Sequence, residues 1–298
     1  MAHHHNHTTE NIKVAFFLNL GFAILEIIGG LAINSIAILS DALHDFGDSL
    51  SLGLAWYFER LAKKGSDEKY SYGYGRFSLL AALINSIVLV TGSIVILFEA
   101  IPRLIYPEAT QARGMILFAI IGILVNGIAA FRMKGDQTMN AKVVSWHLME
   151  DVLGWVMVLI GGILLLFFDI PFIDPLLAIL LTLYILFNVA KNLKETLALF
   201  LQRTPNNINA KILDEKLCEC DQVLSSHDTH IWSIDGDNHV LSTHLVIDEN
   251  ATKDDILRIK RECKEKLLGT VHIAHVTIEI EYPSECCGDS STNIILNS

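Results

Sequence analysis

Two histidine and aspartate pairs with the same spacing lie in separate long apolar stretches of this sequence. His44 and Asp48 form one pair, and His147 and Asp151 form the other. Four helical residues advance about 6 Å and little more than one turn, so each histidine shares a helix face with its aspartate. Imidazole nitrogen and carboxylate oxygen in a four-coordinate shell suit Zn²⁺. The repeated pattern therefore predicts two halves of one divalent-metal site.

The placement of these pairs in apolar surroundings points to ion movement. An aspartate at the centre of a membrane helix costs about 2.5 to 3.5 kcal/mol on insertion scales, and such groups usually face a bundle interior and mark an ion path. Two carboxylates offset both charges of the metal, and the ligands must lose their protons before they bind it. The site therefore predicts exchange of zinc for protons. Two unrelated buried pairs at helix kinks are the alternative interpretation.

Six apolar stretches carry or surround these residues, each long enough for the roughly 20 residues that a membrane crossing needs. With 52% hydrophobic and 18% charged residues, the chain combines a membrane part with a soluble part. The rise per residue places the pairs of spans two and five, which run antiparallel, at nearly the same depth. The predicted spans are residues 12–33, 35–61, 77–101, 112–133, 141–168 and 171–201.

The distribution of charge predicts the orientation of the chain and excludes one class of partner. Lys and Arg are concentrated between spans two and three, between spans four and five, and after span six, which predicts cytoplasmic N- and C-termini. We expect the membrane to be a bacterial or archaeal inner (cell) membrane. Residues 205–298 contain 17 acidic and 8 basic residues, which argues against nucleic acid as a partner. The five cysteines all lie in this part, where disulfides are not expected in the cytoplasm.

The last third of the chain has the pattern of a small α+β domain. Helices at 208–217 and 252–268 and strands at 229–234, 240–247 and 274–280 are predicted. Gly236 to Asn238 supply a hairpin turn, and Thr252 with Asp255 resembles a helix capping box. The order αββαβ predicts two helices on one face of a three-stranded sheet. The predicted divisions are a His-rich tail at 1–11, a six-helix transport domain at 12–203, this domain at 204–283 and a flexible tail at 284–298.

Further acids accompany the membrane pairs. Asp41 and Asp45 lie on the helix of His44 and are candidate entry or release carboxylates, while capping the outer end of the helix is the alternative for Asp41. Glu150 is rotated by about 100° from Asp151, which predicts a hydrogen bond to a ligand rather than a direct bond to the metal. Glu26 is either a hydrogen-bonding group between helices or part of a proton relay.

These motifs together resemble the cation diffusion facilitator family, in its zinc-transporting branch. The resemblance implies a six-span, usually homodimeric metal exporter that exchanges zinc for protons by alternating access and carries a ferredoxin-like cytosolic domain. It assigns the transport site to His44, Asp48, His147 and Asp151, with histidine at position 44 as the variant associated with preference for zinc over cadmium. The motifs that carry it are Ser40-Asp41-Ala42-Leu43-His44 with Asp48, Tyr74-Gly75-Arg76, His147 with Asp151, and His227 to Ser233.

The resemblance also implies metal in the cytosolic domain, where zinc would be bound rather than transported. His227 and His244 match positions that bind metal in some relatives, and further donors are available nearby. A solvated free-thiol tail is the alternative for the two cysteines. In some bacterial relatives the residue at Arg76 pairs with an acid, and here the matching position holds Gln202. The additional donors are His230, His275, Cys286 and Cys287.

Two other functions are alternatives to transport. A membrane zinc sensor would bind the metal without moving it, but such a protein has no need to bury its site at mid-depth. An intramembrane metalloprotease needs an open coordination position for water, and the sequence contains no His-Glu-x-x-His, so no enzyme is predicted. The sequence therefore predicts a secondary active transporter that exports zinc in exchange for protons, with transport of other divalent cations left open.

Overall fold

The structure is a computed structural model, and some parts of the chain lie outside its description. Side chains are described from residue 16 to residue 285, except at 55, 59–60, 62–63, 132–147, 169, 207 and 269–272. The backbone is described for residues 4–62, 64–133, 139–168, 170–206, 208–268, 273–285 and 295–296.

Six long helices precede the α/β domain, in agreement with the predicted number. Five of them contain stretches that are long and apolar enough to cross a membrane, among the residues that the structure describes. The exception is α2, which is 27 residues long but carries Asp41, Asp45 and Asp48. The predicted number of six long helices is therefore confirmed, and the acids of α2 make it less apolar than the other five. The helices are α1 (His4–Ile33), α2 (Ile36–Ala62), α3 (Phe77–Ile105), α4 (Ala112–Met133), α5 (Met139–Phe168) and α6 (Ile173–Phe200).

The N-terminal end of α2 is held by a carboxylate from α6. Asp174 Oδ2 accepts a hydrogen bond from the backbone N of Ile36 at 2.7 Å, and Asp174 Oδ1 accepts one from the hydroxyl of Ser35 at 2.5 Å. Asp174 is 1% exposed, and a negative charge at this position satisfies backbone N–H groups that have no partner within the helix. The interpretation of Asp41 as the end cap of α2 is therefore wrong.

Removal of this cap should loosen the first turn of α2. We expect Asp174→Ala to destabilise that turn by about 1 kcal/mol, because the backbone donors lose their acceptor in a buried site. Hydrogen exchange of the purified protein, read by mass spectrometry on peptides covering residues 35–42, should be faster by roughly five- to tenfold. The matched control is Asp254→Ala in the exposed first turn of α8 (Lys253–Leu268), and equal exchange in wild type and Asp174→Ala would contradict the capping role.

Close packing of α4 against α5 fixes the rotation of the helix that carries Asp151. Trp155, one turn after Asp151, is completely buried and lies over Gly122 of α4. A Cβ at Gly122 would lie 2.2 Å from Trp155 Cδ2, so only glycine allows this approach. Phe22 of α1 packs edge-on against the same indole, with ring centroids 6.2 Å apart. The indole therefore anchors α5 between two other helices.

The C-terminal domain has the predicted order αββαβ. The core contains Leu213 and Leu217 of α7, Ile259 and Leu267 of α8, and strand residues such as Leu241, so both helices cover one face of the sheet. Strands β1 and β2 are antiparallel, and β2 and β3 are parallel. The elements are α7 (Ala210–Cys218), β1 (Val223–Ser233), β2 (His239–Ile247), α8 (Lys253–Leu268), β3 (Ile273–Glu281) and β4 (Ile295–Leu296).

Details at both ends of the chain differ from the sequence-based expectation. Strand β1 begins at Val223, earlier than expected, and β4 pairs with it to give a sheet of order β3-β2-β1-β4 instead of three strands. The two residues of β4 lie in the segment that was predicted to be a flexible tail. At the other end of the chain, helix α1 begins at His4, within the predicted His-rich tail. The pairing of strands with distant segments explains the two differences in the sheet, and the extension of α1 beyond its apolar stretch explains the third. Neither can be read from the local alternation of apolar and polar residues.

The capping box of α8 is confirmed. The backbone N of Thr252 donates to Asp255 Oδ2 at 3.0 Å, the Thr252 hydroxyl donates to the same oxygen at 2.6 Å, and the backbone N of Asp255 donates to Thr252 Oγ1 at 3.3 Å. These hydrogen bonds from Thr252 hold the pKa of Asp255 below its usual value.

The connection between α2 and α3 belongs to the same compact unit as the C-terminal domain, which comprises residues 60–80 and 194–298. Within it, Asp67 Oδ2 accepts hydrogen bonds from the Tyr74 hydroxyl at 2.7 Å and from Lys64 Nζ at 3.0 Å. The hydrogen bond from Tyr74 has the largest effect on the pKa of Asp67, and the one from Lys64 has the next largest. Together they lower this pKa well below its usual value. The ring of Tyr72 packs edge-on against His275, with centroids 5.2 Å apart. This connection is therefore an ordered part of the unit.

Candidate metal centres

Three of the four predicted membrane ligands have described side chains, and these three meet. His44 Nε2 lies 3.8 Å from Asp48 Oδ2 on the same helix and 3.7 Å from Asp151 Oδ1 on α5. Ligands around a tetrahedral zinc lie roughly 3.3 to 3.6 Å apart when each bond is about 2.0 to 2.2 Å, so these separations need little adjustment to hold an ion. The side chain of His147 lies outside the described residues, although its backbone lies in α5 one turn before Asp151.

The two ligand side chains on α2 are more exposed than the one on α5, an arrangement that suits a path for a metal ion. The side chains of His44 and Asp48 are 27% and 26% exposed, whereas that of Asp151 is 9% exposed. One half of the site therefore lies against an accessible space, and the other half lies within the protein. An ion could enter from the exposed side without unfolding the helix bundle.

Two further acids of α2 are buried on the same helix as His44 and Asp48. Asp41 and Asp45 are 7% and 5% exposed, and Asp41 Oδ1 lies against α5 at Gly154. Glu26 of α1 is completely buried. Glu150 is exposed, and its Oε1 accepts a hydrogen bond from the Tyr184 hydroxyl at 3.2 Å. The predicted hydrogen bond from Glu150 to a metal ligand stays a prediction, since the partner seen here is Tyr184 of α6.

A second cluster lies in the C-terminal domain and brings together His227, His244 and Glu281. The β1–β2 register places His227 directly opposite His244, on the sheet face away from the two helices. His244 Nδ1 and Glu281 Oε1 are 2.6 Å apart, and His227 Nε2 and Glu281 Oε2 are 3.4 Å apart. One ligand atom from each residue lies within 4.8 Å of the others, which suits a single metal ion.

The surroundings of this cluster could complete a coordination shell. His227 and Glu281 have side chains that are 4% and 7% exposed, while that of His244 is 24% exposed. Asp228 Oδ2 and Glu279 Oε2 lie 3.7 and 3.5 Å from His244 Nε2, on the accessible side. A carboxylate or water could thus take the fourth position of a tetrahedral ion.

Not every predicted cytosolic donor joins this cluster. His230 Nε2 lies 3.0 Å from Asp228 Oδ1 and is well exposed. His275 lies on the same strand as Glu281 but six residues earlier, which corresponds to about 20 Å along a strand. Cys286 and Cys287 lie outside the described residues. The pattern of histidines and cysteines does not single out Glu281, although Glu281 lies two residues after Glu279 on β3 and therefore on the same face of the strand.

The N-terminal and C-terminal parts of the chain each match a domain of the same protein family. Residues 12–201 match the cation efflux transmembrane domain, and residues 205–283 match the cytoplasmic domain of cation efflux proteins. The chain therefore belongs to the cation diffusion facilitator family of metal cation efflux transporters, which are not enzymes.

Curated relatives cover nearly the whole chain. It is 34% identical over 289 residues to the cadmium, cobalt and zinc/H(+)-K(+) antiporter of Bacillus velezensis, covering 94% of this chain and 92% of the relative. It is 31% identical over 285 residues to the metal cation efflux system protein CzcD of Cupriavidus metallidurans, with 94% and 90% covered. It is 27% identical over 299 residues to the zinc transporter ZitB of Escherichia coli, with 95% and 93% covered.

Proposed function

We propose that this chain exports zinc from the cytoplasm in exchange for protons, with His44, Asp48, His147 and Asp151 as its transport site. The observation that carries the proposal is the approach of His44 on α2 to Asp151 on α5, at 3.7 Å. Residues more than a hundred positions apart meet there in a membrane domain, and their types match the ligands of zinc. Two relatives named for zinc transport, from Bacillus velezensis and Escherichia coli, support the choice of metal.

The chemistry of the ligands links metal release to proton uptake. Zinc binds to neutral imidazole and ionised carboxylate, so protons compete with the metal for the same lone pairs. A site that opens toward a more acidic compartment would take up protons and lose zinc. The Bacillus velezensis relative is named as an antiporter of cadmium, cobalt and zinc against protons and potassium, which supports this coupling. An inward proton gradient would then drive export.

The assembly and location follow from the same assignment. We propose a homodimer in a bacterial inner membrane, with both termini in the cytoplasm. The match of residues 205–283 to the cytoplasmic domain of cation efflux proteins supports the position of the C-terminus. The even number of long helices supports an N-terminus on the same side.

We also propose that His227, His244 and Glu281 bind zinc in the cytoplasmic domain as a regulatory site. The close approach of two imidazoles and a carboxylate supports this role. A protein with this site and no transport would be a zinc sensor, which is the competing function.

Transport in proteoliposomes tests the main proposal. With the lumen more acidic than the medium, we expect zinc added outside to accumulate in the lumen while protons leave it, as read by zinc- and pH-sensitive dyes. Collapse of the proton gradient with an ionophore should stop accumulation, and His44→Ala should lose it. Zinc flux that ignores the gradient would remove proton exchange, and zinc binding without any flux would favour the sensor.

A further inference from the structure

A cavity of about 400 Å³ in the C-terminal unit has features of an anion site that neither metal centre uses. It lies between the segment that precedes α3, the residue Gln202 that follows α6, and strand β1. Two cationic side chains and several aromatic rings line it. The lining residues that matter here are Lys69, Arg76, Gln202, Trp232, Tyr70 and Tyr72.

The charge of this cavity is opposite to that of the domain around it. Residues 205–298 contain 17 acidic and 8 basic residues, yet no Asp or Glu lines the cavity among the residues that the structure describes. The connecting segment 60–76 contains five basic and two acidic residues. A concave surface with this composition attracts anions and repels the zinc ions that the acidic surface attracts.

Asp67 and Asp235 do not pair with Lys69 and Arg76. Both oxygens of Asp67 are occupied, one by Lys64 and Tyr74 and the other by the backbone N–H groups of Lys69 and Tyr70. Asp235 accepts hydrogen bonds within its own hairpin turn. The side chains of Lys69 and Arg76 make no hydrogen bond or ion pair with any residue described here. Their charges are therefore available to an external anion.

The position of the cavity along the chain places it at the membrane surface. Arg76 directly precedes Phe77, the first residue of the apolar helix α3, and Gln202 follows the last residue of α6 by two positions. Lys and Arg next to a membrane span lie at the level of the lipid headgroups, and Tyr and Trp are enriched there. An anion that is abundant at this level is the phosphate of an acidic phospholipid.

We propose that this cavity binds the phosphate headgroup of an anionic phospholipid from the cytoplasmic leaflet. Arg76 and Lys69 supply positive charge to the phosphate, with the planar guanidinium of Arg76 suited to a bidentate contact. The rings of Tyr70, Tyr72 and Trp232 offer an apolar surface to the glycerol backbone. Gln202 donates a hydrogen bond without adding negative charge. This assignment does not depend on the transported metal or on proton exchange.

Native mass spectrometry of the full-length protein tests the proposal with phosphatidylglycerol and phosphatidylcholine of identical acyl chains. We expect wild type to retain phosphatidylglycerol preferentially. Each basic residue near a membrane contributes roughly fivefold to such binding, so Lys69→Gln should lose about fivefold and the Lys69→Gln, Arg76→Gln double variant about 25-fold. Lys260→Gln, an exposed lysine of α8, is the matched control and should retain the wild-type preference.

An added negative charge and a soluble anion complete the test. Gln202→Glu places a carboxylate in the cavity at an exposed position, so it should weaken phosphatidylglycerol retention while thermal unfolding of the protein stays unchanged. Wild-type retention by the double variant, or by Gln202→Glu, would overturn the proposal. Tight binding of sn-glycerol 3-phosphate, with no preference among lipids, would overturn it in favour of a soluble phosphate ligand.

Discussion

Asp151→Asn should abolish zinc transport while leaving the protein folded. Asparagine has the same size as aspartate, but its amide lacks the negative charge that offsets the metal, and its oxygen is a weaker ligand. Mutations of groups that merely support metal ligands cost about 10- to 100-fold in affinity or activity, so the loss of a ligand should reduce zinc flux by about 100-fold or more. The measurement is the initial rate of zinc uptake into proteoliposomes with a fixed pH gradient.

The design separates the loss of a ligand from the loss of any acid in a helix. Glu195→Gln makes the same carboxylate-to-amide change at an exposed position of α6, and it should transport zinc at the wild-type rate. Thermal unfolding of both variants in detergent should match wild type. Wild-type flux in Asp151→Asn would show that the metal does not pass by way of this carboxylate, whatever the geometry around His44.

The second large effect is expected in the cytoplasmic domain. His227→Ala and Glu281→Gln should each weaken zinc binding there by about 100-fold or more, because each removes one of three ligands from a largely buried cluster. Binding should be measured by competition with a chelator on the full-length protein. The Asp151→Asn background removes binding at the membrane site, so the remaining zinc reports on the cytoplasmic cluster alone.

His275→Ala is the matched control for this experiment, since it removes an imidazole from the same sheet at a position that contacts Tyr72 instead of the cluster. It should bind zinc as tightly as the parent. Loss of binding in His275→Ala with retention in His227→Ala would move the cytoplasmic site to the region of Tyr72. Equal binding in all three variants would leave the cluster of His227, His244 and Glu281 as an ion-paired structural group.

The fold could be predicted to the extent that it follows from local patterns. Long apolar stretches predicted the six helices, because each must satisfy its backbone hydrogen bonds within itself when it crosses a membrane. Alternation and turn residues predicted the order αββαβ, and Thr252 with Asp255 predicted the start of α8 because a capping box acts over three residues. The start of β1 and the pairing of Ile295–Leu296 with it escaped prediction, because strand pairing depends on distant partners.

The candidate membrane site was predictable for a related reason. In each pair the histidine and the aspartate are one helical turn apart, so the spacing itself fixed a shared face for His44 and Asp48. The same reasoning failed at the end of α2, where Asp41 was an attractive cap and Asp174 is the actual one. Asp174 lies more than a hundred residues away along the chain, so no local pattern connects it with Ile36.

The sequence by itself determined the class of protein, the repeated His-x-x-x-Asp motif and the order of the elements, since these depend on residue type and short spacing. Only the tertiary structure decided which groups meet. It brought Asp151 to His44 and placed Glu281 between His227 and His244. It also made Arg76 and Gln202 line one cavity with no acid among its described lining residues. The physical reason is that such contacts depend on helix rotation, strand register and packing between distant segments, and these are set by the whole chain folding together.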